Sequence, residues 1–273
     1  MYVIEYTPTV RGRHKLEITA NDLPVPGSPF PIIAKIPPHQ FSKPQKVIDS
    51  FKDPIDIAIN SVGEVIVAEQ GGGIALIHKS GRIMHSSIDG EQQSGSLKLE
   101  GIAVDYEDNI YVTDNQGGNL YKLNKYCQQI KKVGRDCEGL EDFDPWGVTV
   151  FQEQVIVTQS IRPLLSFTRD LELVKKIDFK GDGLGITHDL DMNIYVCSNS
   201  SIEVLNSQSE ALYSFGNKDP KRLSNPRSVC VDGEYVYVSE WDDNHYVSVF
   251  SKRGEYVTSF GNSSTEHQFA YPS

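Results

Sequence analysis

Three short segments carry residue types that phosphate, calcium or acid–base chemistry requires. Residues 181–185 are glycine-rich like phosphate loops, but such loops lead into a helix N-terminus, whereas a predicted strand follows here. Residues 189–193 resemble the start of a calcium loop, yet Ile194 stands where that loop needs Gly. His188 and Asp189 are neighbours on a predicted strand, so they point to opposite faces and form no catalytic pair. We predict turns at these places, and no catalytic residue, metal site or cofactor.

Residues that could bind a partner are better candidates for a functional site than catalytic residues. They follow the second predicted strand in successive copies of a sequence repeat, which is described below. An exposed Trp is a frequent anchor of protein interfaces, so Trp241 predicts the position of a partner; the alternative is that Trp241 fills the space between repeats. The positions expected to converge on one partner-binding rim are Gln70, Asn115, Gln159, Asn199, Trp241, Asp242 and His245.

The charge of this rim favours a protein partner over RNA. The chain has a formal net charge of −11, and the loops predicted to share the rim hold fourteen Asp or Glu against seven Lys or Arg. RNA binding needs basic side chains for the phosphates, and only one loop concentrates them, at Lys218, Lys221 and Arg222, which form the alternative RNA contact. Residues 136–144 hold five carboxylates. They predict a solvated loop or, alternatively, a dock for a basic partner.

A repeat must position these residues. Its copies begin near Pro54, Leu99, Pro145, Gly183 and Pro226, spaced by 38 to 46 residues. Each copy contains four short β-branched or aromatic segments, separated by turns rich in Asp, Asn and Gly, and no convincing helical period. Four strands in each repeat of this length are typical of a β-propeller blade, so we predict an all-β chain with five four-stranded blades.

Two motifs carry a family resemblance. Asn244-His245-Tyr246 after the second strand of the fifth repeat resembles the Asn-His-Leu run of NHL repeats, departing at the third letter. Residues 39–273 therefore resemble an NHL-type β-propeller. The run Pro-Gly-Ser-Pro-Phe at 26–30 resembles the last hairpin of a filamin-type immunoglobulin-like repeat, so residues 1–38 are predicted to be the last strands of such a domain.

A filamin-type segment followed by NHL repeats is similar to the tripartite-motif NHL family. The resemblance implies a non-catalytic module that recognises the partner or substrate of a RING-type E3 ubiquitin ligase. The alternative that it implies is an RNA-binding propeller in post-transcriptional repression. A RING finger, B-boxes and a coiled coil are not recognisable here, because the four Cys and seven His form no zinc-ligand cluster. A propeller enzyme such as a lyase would also need metal ligands, which we do not find.

The ends of the chain give two further expectations. A sixth repeat begins at Tyr271 and is cut at Pro272, so we expect an open ring. Residues 42–51 match residues 251–260, which predicts that 46–51 form the outer strand of the last blade and latch the ring. The N-terminus does not resemble a signal peptide and no apolar run reaches about 18 residues, so we predict a cytoplasmic protein with free thiols and no membrane partner.

Overall fold

A computed structural model describes most of the chain. The described residues are 12–16, 19–20, 23–24, 30–34, 48, 50–51, 53–88, 97–160, 163–179, 181–218, 221–241 and 246–261. The chain divides into two compact units, 1–44 and 45–273. In the first unit, β1 (Gly12–Leu16) pairs antiparallel with β4 (Phe30–Ala34), and β2 (Thr19–Ala20) pairs with β3 (Leu23–Pro24).

The second unit contains five antiparallel sheets of four strands, each a blade in which consecutive strands are neighbours. Blade one comprises β5 (Pro54–Ile59), β6 (Val65–Glu69), β7 (Gly73–Ile77) and β8 (Ile83–Ser87). Blade two comprises β9 (Leu99–Val104), β10 (Ile110–Asp114), β11 (Asn119–Leu123) and β12 (Gln129–Gly134). Blade three comprises β13 (Pro145–Phe151), β14 (Gln154–Gln159), β15 (Leu164–Thr168) and β16 (Leu173–Ile177).

Blade four comprises β17 (Ile186–His188), β18 (Ile194–Ser198), β19 (Ser201–Leu205) and β20 (Ala211–Phe215). A small hairpin follows, made of β21 (Asn217–Lys218) and β22 (Lys221–Arg222). Blade five comprises β23 (Pro226–Val231), β24 (Tyr235–Glu240), β25 (Val247–Ser251) and β26 (Tyr256–Phe260). The prediction of an all-β fold with five four-stranded blades is confirmed, although blade four begins at Ile186 rather than Gly183 and the hairpin was not predicted.

One aspartate builds the turn between the first two strands of a blade. In blade two, the Asp105 carboxylate accepts hydrogen bonds from the backbone N–H groups of Glu107 and Asn109, both at 2.9 Å, and from the Tyr111 hydroxyl at 3.1 Å. Burial alone would raise the pKa of Asp105, but the hydrogen bonds from Asn109 and its neighbours outweigh burial and hold that pKa below its ordinary value. The arrangement recurs in blades four and five, at Asp189 with Tyr195 and Asp232 with Tyr237.

Neighbouring blades are joined by ion pairs and by a close approach of their inner strands. The Arg169 side chain of blade three reaches Asp105 of blade two at 3.4 Å, and Lys252 of blade five reaches Asp189 of blade four at 2.6 Å. At the other end, a Cβ on Gly147 would lie only 2.5 Å from the Leu184 carbonyl oxygen of the next blade. Glycine is therefore required at this position for the two inner strands to approach each other.

Blade one differs on the face that points away from blade two. Ile57 and Ile59 of β5 are 59% and 64% exposed, whereas Ile102, which follows Gly101 as Ile57 follows Asp56, is 5% exposed against blade one. The outer part of the same face is covered by Ile48 and Phe51, which pack against β6 to β8. The described residues of the predicted latch, at 48, 50 and 51, are not in a strand; the rest of it lies outside the described residues.

Candidate functional site

A recurrent β-bulge directs one residue of an inner strand towards an opening of the central cavity. We call this opening, formed by Lys98, Glu100, Trp146 and Arg227, the mouth. In β9, pairing with β10 passes from Leu99–Asp114 to Gly101–Thr113 and leaves Glu100 unpaired. In β23 the same shift leaves Arg227 unpaired, and in β13 it includes Trp146. Bulges commonly re-aim a side chain in this way. Because these residues begin their strands beside the end of the second strand, they lie at the rim predicted from the sequence.

Arg227 spans this mouth from blade five to blades two and three. Its guanidinium lies 2.5 Å from the Glu100 carboxylate and 4.5 Å from the centroid of the Trp146 ring. The Lys98 amine lies 2.7 Å from the other Glu100 oxygen and 5.0 Å from the same ring. The Glu100 side chain is only 2% exposed. A carboxylate withdrawn from water is thus held between two cations, and both cations lie over the face of the Trp146 ring.

Trp241 is exposed beside this cluster. Its side chain is 48% exposed, and the centre of its ring lies 5.6 Å from the Arg227 guanidinium. The backbone N–H of Trp241 donates to the Asn225 carbonyl at 2.9 Å, and the Asn225 side chain donates back to the Trp241 carbonyl at 3.2 Å. Of the two alternatives given by the sequence, the structure thus has Trp241 at the rim surface.

The other predicted rim residues fall into three groups. Asp242 and His245 lie outside the described residues. Asn199 is exposed, and its side chain accepts a hydrogen bond from the Asp182 N–H at 3.2 Å. Gln159, the last residue of β14, is only 4% exposed, because its amide donates to the Pro163 carbonyl at 2.8 Å and accepts from the Asp144 N–H.

Gln70 and Asn115 bind the start of the next blade. The Gln70 amide donates to the Leu99 carbonyl at 3.2 Å, and the Asn115 amide donates to the Asp144 carboxylate at 2.7 Å. Both side chains are half-buried. These contacts join neighbouring blades, which is a structural role that the repeat position alone did not reveal.

The basic hairpin offers two of its three cations to solvent. Lys218 and Arg222 are exposed, whereas Lys221 is half-buried and forms an ion pair of 3.0 Å with the buried Glu240. Lys221 also contacts the Tyr246 hydroxyl and lies 3.9 Å from the centre of that ring. Lys221 therefore holds the hairpin to blade five, which reduces the basic surface proposed for RNA.

A cavity of about 640 Å³ lies behind the mouth and is lined by the inner strands of all five blades. Burial in its wall raises the pKa of Asp56 to about 6, against two backbone hydrogen bonds that lower it. Burial also lowers the pKa of His188, whose ring nitrogen lies 2.9 Å from the Thr149 hydroxyl. At neutral pH the cavity wall therefore carries an ionised Asp56 carboxylate and an uncharged His188 ring.

The segments that suggested ligand chemistry are turns and close packing. The Asp189 carboxylate accepts from the N–H groups of Asp191 and Asn193, both at 2.9 Å, so the calcium-like segment presents donors to this oxygen. The glycine-rich segment leads into β17, and a Cβ on Gly185 would lie 2.6 Å from the Ser228 Cα. Among the described residues, no group of three His, Cys, Asp or Glu side chains is arranged to hold a metal ion.

The acidic loop at 136–144 is anchored between blades two and three. Leu140 and Phe143 are 4% and 1% exposed within the hydrophobic cluster that joins these blades. A pocket of about 320 Å³ beside the loop is lined by residues that include Glu141 and Lys176. The loop therefore serves at least as a packed connection between the two blades.

Within the described part of the chain, no helix is long and apolar enough to cross a membrane.

Comparisons with known proteins agree with this description of the fold. Residues 1–31 match the family model of the Filamin/ABP280 repeat. No curated protein matches the chain significantly. A streptogramin B lyase structure is 19% identical with a TM-score of 0.60, covering 79% of this chain and 71% of that one.

Two other solved structures are similar to the same degree. The virginiamycin B lyase of Staphylococcus aureus is 15% identical with a TM-score of 0.59, covering 76% of this chain and 69% of the lyase. A protein of unknown function from Bacteroides caccae is 10% identical with a TM-score of 0.60, covering 78% and 83% of the two chains. At these identities the likeness shows the fold alone.

Proposed function

We propose that the chain is a partner-recognition module that binds a protein at the rim around Trp241. The observation that supports this most is the Trp241–Arg227–Trp146 stack, in which a solvent-exposed Trp lies beside an Arg already held in place by Glu100. Trp and Arg are the residue types most enriched among interface hot spots, and a fixed conformation lowers the entropy lost on binding.

Within this role, we assign the module to substrate recognition for a RING-type ubiquitin ligase in the cytoplasm. Support comes from the Filamin-repeat match at residues 1–31 next to a five-bladed propeller, the order of the tripartite-motif NHL family that the sequence resembles. The chain then acts by binding, without chemistry of its own. Purified chain with ubiquitin, activating enzyme and conjugating enzymes should give no ubiquitin ladder, and a ladder would show that this assignment is wrong.

Capture of cellular proteins on immobilised full-length chain tests the rim. Trp241→Ala should weaken capture of bound proteins by about 30-fold, as expected for a hot spot of about 2 kcal/mol. Tyr126→Ala is the matched control, because Tyr126 is an aromatic residue 63% exposed in the turn between β11 and β12, at the opposite rim. Equal capture by wild type and Trp241→Ala would move the site elsewhere. Asp242→Lys at the same loop should weaken capture in the same direction.

RNA binding is the second candidate, and the exposed cations Lys218 and Arg222 favour it. Reversing both charges to glutamate should abolish a gel shift with cellular RNA if this function is correct. It should leave protein capture unchanged if the first function is correct. The two proposals are separated by which of the two signals the double variant removes.

A further inference from the structure

We propose that the mouth of the central cavity binds one carboxylate of the partner, an Asp or Glu side chain in an extended peptide, between Arg227, Lys98 and the Trp146 indole. This inference rests on the proposed function, because it names the chemical group by which the rim recognises its protein partner.

The first argument is an unused donor. Among the described residues, the Trp146 indole N–H is buried and has no hydrogen-bond acceptor. A buried donor without an acceptor is unfavourable, and such groups in native proteins are few. Trp146 lines the central cavity, and a ligand oxygen can accept this hydrogen bond once a neighbouring side chain moves aside to uncover the buried N–H.

The second argument is the local charge of the mouth and the solvent exposure of the charged groups. Two cations meet a single carboxylate in the mouth, on a chain whose net charge is −11. The Lys98 and Arg227 side chains are 44% and 22% exposed, while Glu100 is 2% exposed. An incoming anion therefore meets the cations and not the carboxylate. Arg has five N–H donors and Lys three, so both can bind a second carboxylate while keeping Glu100.

The third argument is geometry. The Arg227 guanidinium is flanked by the Trp146 and Trp241 rings at 4.5 and 5.6 Å, which restrict its orientation before any ligand arrives. A planar guanidinium held in place suits a planar carboxylate. The cavity of about 640 Å³ behind it is in the size range of ligand pockets and leaves room for a side chain.

One carboxylate on an otherwise neutral peptide also avoids the repulsion that an acidic rim exerts on the many phosphates of RNA.

Intrinsic fluorescence gives a direct test. The chain has two Trp residues, so Trp241→Phe leaves Trp146 as the reporter while keeping an aromatic ring at 241. This variant is titrated with acetyl-Gly-Ser-Glu-Ser-Gly-amide and with the twin peptide that carries Gln in place of Glu. We expect a saturable change of Trp146 fluorescence with the Glu peptide. We expect binding of the Gln twin to be at least about tenfold weaker, since it lacks the charge-assisted hydrogen bonds.

Variants in the same background identify the residues. Arg227→Gln and Lys98→Gln should each weaken the Glu peptide by about tenfold, and Lys98→Gln serves if Arg227→Gln fails to fold. Arg253→Gln, an exposed Arg on the turn between β25 and β26, is the matched control and should change nothing. No saturable change, equal binding of the two peptides, or an unchanged affinity in both mouth variants would overturn the inference.

Two further probes separate the sources of an anion. Inorganic phosphate and oligouridylate are titrated in parallel, and tighter binding of either than of the Glu peptide would also overturn the carboxylate assignment. A failure of the carboxylate inference can be distinguished from a failure of the proposed function. If Trp241→Ala abolishes partner capture while the Glu peptide gives no signal, the module binds protein by another contact and only this inference fails.

Discussion

Replacing Asp56 by asparagine should make the propeller more stable at neutral pH. Asp56 lies on β5 at the position where blades two and three have Gly101 and Gly147, and its carboxylate is set into the cavity wall. One oxygen accepts from the N–H of Ile57 at 2.8 Å, and the other accepts from the N–H of Ile102 in blade two at 2.9 Å. Asn retains an acceptor oxygen for Ile102 and carries no charge, but its amide nitrogen cannot accept from the Ile57 N–H.

The magnitude follows from the pKa. Burial raises the pKa of Asp56 from 3.8 to about 6, so between these values the folded chain binds more protons than the unfolded chain. The free energy of unfolding therefore falls as the pH rises from about 4 to 6, and the loss is complete above the folded-state pKa. A tenfold change in an acid dissociation constant corresponds to about 1.4 kcal/mol, so the ionised carboxylate costs at most about 3 kcal/mol.

Urea unfolding of wild type and Asp56→Asn at a series of pH values between 4 and 8 measures this difference. Between pH 4 and pH 8 the free energy of unfolding of the variant should rise relative to that of wild type by about 2–3 kcal/mol, and the variant should be the more stable at pH 8. Asp53→Asn, an exposed position in the same segment, is the control and should follow wild type. A constant difference across the pH range, or a variant that is less stable at pH 8, would refute the reasoning.

Three further perturbations test the packing. Gly147→Ala should destabilise by about 1–3 kcal/mol in urea unfolding, because its Cβ meets the next blade, whereas Gly233→Ala, with no atom within 4 Å, should stay within about 0.5 kcal/mol of wild type. Asp105→Ala should cost about 3 kcal/mol at pH 7, and the difference should shrink only below about pH 4, since the lowered pKa keeps this carboxylate ionised. In native protein, a thiol reagent should label Cys137 well before the fully buried Cys197, whose pKa burial raises; similar rates would contradict the packing of blade four.

The blades could be predicted from the sequence because their signals are local. In blades one, two, four and five, the turn between the first two strands depends on an Asp or Asn that bonds N–H groups two to four residues later, and the side-chain types needed for this are visible in a single repeat. The first strand then begins at the repeated Pro or Leu in blades one, two, three and five. Blade four begins its first strand later, because the backbone of residues 183–185 forms hydrogen bonds to three different strands, β14, β18 and β23, instead of pairing with β18 alone.

The exposure of a rim side chain could be predicted from the sequence only where residues of its own repeat determine that exposure. Trp241 follows β24 and stays exposed, as its repeat position indicates. Gln159 lies one position earlier in its repeat: it is the last residue of β14 and pairs with Pro145, as Glu240 of β24 pairs with Pro226. Both Gln159 and Glu240 are buried, and Gln159 finds its hydrogen-bond partners, Asp144 and Pro163, in the loops that precede and follow it. A shift of one position at the end of the second strand thus separates a buried side chain from an exposed one.

The mouth of the cavity could not be predicted, because its contacts cross the ring. Glu100 and Arg227 are separated by 127 residues and come from blades that are not neighbours in sequence, so no local pattern links them. The shared signal is that Glu100, Trp146 and Arg227 each directly follow the residue that opens their repeat. That position alone does not predict where the side chain lies. The bulge in the structure is needed, because it shifts this position out of register and towards the cavity. The bulge therefore explains why charged and aromatic side chains from three blades meet at the mouth of this propeller.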